Sequence, residues 1–115
     1  MTWTVNLALM VVPEIAPDEL ALRLDDVVLI DVRQPEEYAA GHVRTARLLP
    51  LREVPDHVGD LPTDAEVFVI CRSGSRSAMA SEFLIERGVR AVNVAGGTLA
   101  WADAGHEFVT GDQPS

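Results

Sequence analysis

The sequence predicts an α/β fold in which a parallel sheet lies between two layers of helices. Three short apolar runs, Val27-Val28-Leu29-Ile30, Val67-Phe68-Val69-Ile70 and Ala91-Val92-Asn93-Val94, read as strands. The first two are continuous rather than alternating, as strands are when both sheet faces are covered. Segments with helical start and stop signals separate the runs, which argues for crossover connections. In such folds ligands bind beyond the carboxyl ends of the strands, and Asp31, Arg33 and Cys71 all fall there.

Taken in order, Pro17 suits a first helical position, with Asp18 and Glu19 in the first turn complementing the helix dipole. Leu20, Ala21, Leu22 and Leu24 then predict a short helix ending near Asp25 and Asp26. After the first strand, Pro35 to Gly41 predicts one or two helical turns with Pro at the start and Gly at the stop. Ala46 to Leu51 reads as a strand broken by Pro50, and residues 52–60 as a weak helix or loop. Ser77 to Arg87 predicts a helix stopped by Gly88. The last strand leads to Gly96, Gly97 and a short helix carrying Trp101. No internal repeat or linker interrupts residues 1–115, so one domain is expected, with 1–11 as an N-terminal extension and 110–115 as a tail that frays.

Composition narrows the function. A net charge of −9 repels nucleic acid and anionic membranes as main partners. All nine basic residues are arginine, so a Walker, Schiff-base or kinase-type lysine is excluded. The lone Cys71 excludes an internal disulfide and a CxxC pair, so a reducing, cytoplasmic setting is expected. His42, His57 and His106 lack metal-ligand spacing, and no metal or cofactor is expected. The apolar stretch Leu7 to Val12 has no basic flank and is too short to span a bilayer. It reads as a short strand or apolar cover, or else as a docking surface.

The chemistry concentrates in Cys71-Arg72-Ser73-Gly74-Ser75-Arg76-Ser77, between a buried strand and a helix. Unpaired N–H groups and a partial positive charge collect at a helix start and favour an anion. A thiol placed there, or beside arginine, has its pKa lowered from about 8.5 to roughly 3.5–7.5. Gly74 permits the tight curvature that turns successive N–H groups inward, and the serines leave room for an anion and add hydroxyl donors. Arg72 and Arg76 can pair with oxyanions, bidentately if they point inward. Cys71 is therefore read as a nucleophile held as an anion, against the alternative of an inert core thiol.

These residues resemble a single-domain rhodanese. The resemblance runs from about Val12 to Val109 through Leu29-Ile30-Asp31-Val32-Arg33-Gln34-Pro35-Glu36-Glu37-Tyr38, Gly41-His42-Val43, the Cys71 loop, Asn93-Val94-Ala95-Gly96-Gly97 and Ala100-Trp101. It implies a three-layer sandwich with a five-stranded parallel sheet and helices on both faces. It also implies that Cys71 accepts a sulfane sulfur as a persulfide, cradled by the amides from Arg72 to Ser77, and passes it on. Asp31 and Arg33 match the family's Asp-x-Arg segment and read as an ion-pair set beneath the loop. The chain departs from the family at Arg44-Thr45, where Pro-Gly is usual, and at Ser73, where two-domain thiosulfate enzymes carry lysine. Related phosphatases place five residues between Cys and Arg. Here four separate Cys71 from Arg76, which favours sulfur over a tetrahedral oxyanion.

The expected activity is sulfur transfer from a donor such as thiosulfate to cyanide or another thiophilic acceptor through Cys71. The expected partners are a small sulfur donor and acceptor, or a protein in either role. A sulfur-relay or sensory module with little small-molecule turnover is the second reading, and a phosphatase or arsenate reductase the third.

Overall fold

A computed structural model describes residues 11–115. The expectations for residues 1–10 lie outside that range. One five-stranded, all-parallel sheet runs in the order β1-β5-β4-β2-β3. Its strands are β1 (Glu14–Ile15), β2 (Val28–Asp31), β3 (Arg47–Leu48), β4 (Glu66–Ile70) and β5 (Arg90–Val94). The helices are α1 (Pro17–Ala21), α2 (Pro35–Ala40), α3 (Val54–His57), α4 (Ser75–Glu86) and α5 (Gly97–Asp103), with 3-10 turns at Leu24–Asp26, Leu51–Glu53 and Val58–Asp60.

Alternation along the strands divides the core in two. Leu29, Phe68, Ile70, Val92 and Val94 pack with Leu20, Leu24, Tyr38 and Trp101 on one face. Ile30, Val67, Val69, Cys71 and Ala91 pack with Val54, Ala80 and Leu84 on the other. Helices thus cover both faces, which accounts for the continuous apolar runs. Cys71 continues β4 onto the α4 face, and register places Asp31 of β2 beside Ile70. The carboxyl ends of β2 and β4 form one rim.

Several boundaries differ from the expectations. The strand expected over Ala46 to Leu51 shrinks to Arg47–Leu48, because Pro50 leads straight into a 3-10 turn. Glu14–Ile15 pairs with β5 as an edge strand that two residues of pattern could not reveal. The first helix stops at Ala21, and Leu22 points into solvent. The helix expected from Ser77 begins at Ser75, because Gly74 takes φ +104° and ends the loop there. At its other end Gly88 N–H bonds Ile85 O and Val89 N–H bonds Leu84 O, a glycine-based C-terminal cap.

The tail expected to fray is held down. His42 and Val109 exchange both backbone bonds at 2.9 Å, Gly111 N–H bonds Ala39 O, and Thr45 N–H bonds Pro114 O. His42 itself is fully buried, stacked on Tyr38, with Nδ1 against Tyr38 O and Nε2 against Gln113 O. Tyr38 donates its hydroxyl to Ala46 O, and Trp101 is buried with Nε1–H on Glu107 O.

Candidate active site

Cys71 has no exposed surface and sits where β4 gives way to the loop. Two donors reach its sulfur: the Gly74 N–H at 3.1 Å and the Ser77 hydroxyl at 3.2 Å. Burial is the largest single influence on the thiol and pushes its pKa up. The Ser77 hydroxyl, with the backbone amides of Ser77, Gly74 and Ser73, outweighs burial, and the net shift is downward. The loop therefore does what an anion cradle must: it removes water and supplies N–H groups in its place.

What curves the loop is a neighbouring backbone. Thr98 N–H bonds Cys71 O at 2.8 Å and Leu99 N–H bonds Arg72 O at 3.0 Å. The first amides of α5 thus hold two loop carbonyls on the α5 side of the loop. Gly97 makes this approach possible, since a Cβ there would collide with both carbonyl oxygens, and its φ is +61°. Gly97 is thus the close-approach glycine for the loop, while Gly96, at φ +73°, opens α5.

The two loop arginines part company. Arg72 is exposed and forms no ion pair among the described residues. Arg76, expected to meet an oxyanion, gives both terminal nitrogens to Glu37, at 2.8 and 2.9 Å. Glu37 Oε1 also accepts the Gln34 N–H at the start of α2, at 2.9 Å. One carboxylate thus caps α2 and fixes the first turn of α4. The Arg76 hydrogen bond is the main reason Glu37 is lowered to about 2. Ser73 and Ser75 are exposed.

Asp31 and Arg33 form a buried bidentate pair, with Arg33 Nη2 2.8 Å from Asp31 Oδ2 and Nε 3.0 Å from Oδ1. Arg33 also donates to Gly41 O at 2.8 Å, tying the end of β2 to the end of α2. Every donor this pair uses is turned toward protein.

Two contributors were missed in the sequence. Glu37 carried a readable signal, an acidic residue at the third position of a helix opened by Gln-Pro. Asn93 carried another, a polar residue in an otherwise apolar strand. It is buried, and its Nδ2 bonds Gly74 O at 3.2 Å while its Oδ1 accepts from Ser77. A cavity of about 440 Å³ is lined by Val11, Glu66, Arg90 and neighbours at the amino ends of β4 and β5. It lies away from this rim.

The family model for the rhodanese-like domain matches residues 16–104. The chain belongs to the rhodanese-like domain family. A sulfurtransferase from Allochromatium vinosum is 39% identical over 102 residues, covering 85% of this chain and 95% of that one. A thiosulfate sulfurtransferase from Pseudomonas entomophila is 36% identical over 89 residues, covering 76% and 82%. The solved rhodanese-related protein from Thermoplasma volcanium superposes with a TM-score of 0.80 at 32% identity, covering 84% of this chain and 97% of that one. As a rhodanese-like domain, the chain shares its α/β fold with the Thermoplasma volcanium protein along nearly that protein's whole length.

Proposed function

We propose that this rhodanese-like domain is a sulfurtransferase that carries sulfur on Cys71. The observation that carries the reading is the cradle itself. A buried thiol receives a backbone N–H and a hydroxyl, with further loop amides favouring its anion. Such a site stabilises a thiolate without a histidine base, and a persulfide is likewise an anion that needs donors more than it needs a base.

The chemistry runs in two displacements. The Cys71 thiolate attacks the outer sulfur of thiosulfate. The S–S bond of the donor breaks with its electron pair leaving on sulfite, and a Cys71 persulfide forms. Cyanide, or another thiophilic nucleophile, then attacks the outer sulfur, giving thiocyanate and returning the thiolate. Arg72, exposed beside the loop, is the cation placed to meet the dianionic donor, and Arg76 with Glu37 keeps the helix start rigid. Ser73, Ser75 and Ser77 keep the loop small, and Gly74 gives it its curvature. Support for a thiosulfate donor comes from the named activity of the Pseudomonas relative.

Steady-state thiocyanate formation from thiosulfate and cyanide tests the reading. Cys71→Ser should abolish it, and retention of full activity would end the proposal.

A second reading, a relay that takes its sulfur from or gives it to a protein, draws support from the exposed Met79 on α4 and Leu99 on α5. It predicts a stoichiometric persulfide with negligible cyanide turnover.

A further inference from the structure

Asn93 lies on β5 and is turned toward α4, where it touches the cradle at two points. Its orientation is fixed by chemistry. Nδ2 faces two acceptors, Gly74 O at 3.2 Å and the Glu14 carboxylate at 3.2 Å, so Oδ1 must face the Ser77 hydroxyl. A flipped amide would set its oxygen against both acceptors.

The Ser77 hydroxyl thus has two suitors and one proton. Asn93 Oδ1 lies on one side and Cys71 Sγ, at 3.2 Å, on the other. A neutral thiol can donate to Ser77 Oγ, leaving the serine proton on Asn93. A sulfur anion cannot donate, and it draws the serine proton to itself. Buried Oδ1 then loses its donor, which has a cost.

We infer that Asn93 is a positioning residue that competes with the Cys71 sulfur for the single Ser77 proton while holding the Gly74 carbonyl so that the loop keeps its curve. Asn93 thereby sets how strongly the cradle favours the charged sulfur over the neutral thiol. The other charged groups around the set are Arg72 in the loop itself, Arg76 with its partner Glu37, Asp31 with its partner Arg33 beyond them, and Glu14 at the Asn93 end. The inference rests on Cys71 as the sulfur-bearing residue, but its test needs no sulfur donor.

Because Cys71 is the only thiol, ultraviolet absorbance of the thiolate, followed below the pH at which the single tyrosine ionises, reports its titration. Midpoints are measured for the unmodified protein, Ser77→Ala, Asn93→Ala and the double variant. Ser77→Ala should raise the midpoint. The shift caused by Asn93→Ala should differ by roughly half a pH unit or more according to whether the Ser77 hydroxyl is present or has been removed by Ser77→Ala. Equal shifts in both backgrounds would overturn the inference, whether or not the protein transfers sulfur. A measurement on the unmodified protein guards against a variant that folds poorly. The Asn93 side-chain amide resonances should move with the Cys71 midpoint, and resonances that stay still across it would equally overturn the inference.

Discussion

Thr45 has a φ of +77°, the only positive value among the non-glycine residues described. A β-branched side chain rarely takes that conformation, and it costs of order 1–3 kcal/mol. The turn survives without the Pro-Gly pair usual in rhodaneses because Ala46 N–H bonds Val43 O and Thr45 N–H bonds Pro114 O. Thr45→Gly should therefore raise stability by about 0.5–1 kcal/mol in chemical denaturation, since release of strain exceeds the added freedom of the unfolded chain. A loss of stability would mean that the side chain, which reaches Leu24 O at 3.5 Å, matters more than the backbone. At this scale the sequence was informative where chemistry is local. A lone Cys followed by Ser, Gly and Arg announced an anion cradle. Which arginine was engaged was not legible, because Arg76 meets Glu37 across 39 positions of chain.

The Glu37–Arg76 pair joins the first turns of α2 and α4, and so fixes the loop by tying the helix it runs into to α2. Glu37 is lowered from 4.5 to about 2, chiefly by the Arg76 hydrogen bond. Its native state therefore holds the carboxylate charged at a pH where the unfolded chain protonates. The resulting stability is fully present above about pH 4.5 and is lost as pH falls through about 2. With both side chains about a third exposed, the contribution is screened to about 1–2 kcal/mol. Urea titrations between pH 5 and pH 2 should show Glu37→Gln less stable at the upper end and converging on the unmodified protein at the lower. A constant difference across that window would place the role of Glu37 in the α2 cap rather than in its charge. Element types were readable from continuous apolar runs and Pro/Gly signals. Element ends were not, because a short edge strand and a helix that begins at a positive-φ glycine are fixed by tertiary partners.

Across the whole molecule, the two-faced core sets β2 and β4 side by side, and the C-terminal residues close the rear of the structure around His42. Removing residues 111–115 strips Gly111 from Ala39 O, Gln113 O from His42 and Pro114 O from Thr45. The deletion should cost roughly 1–3 kcal/mol of stability, since it leaves a buried imidazole nitrogen in need of water. It should spare the Cys71 loop, so a thermal melt would fall while sulfur transfer at low temperature persists. An unchanged melt would contradict the role given to the tail. The polar composition of that tail concealed this, because its contacts run through backbone carbonyls that any sequence carries. Sulfur held by Cys71 is the central claim, and the intact mass of the protein after exposure to thiosulfate tests it most directly. The prediction is a gain of one sulfur atom that cyanide removes and that Cys71→Ser never acquires. A protein whose mass stays unchanged with every sulfur donor offered, or a Cys71→Ser variant that gains the same sulfur, would contradict it.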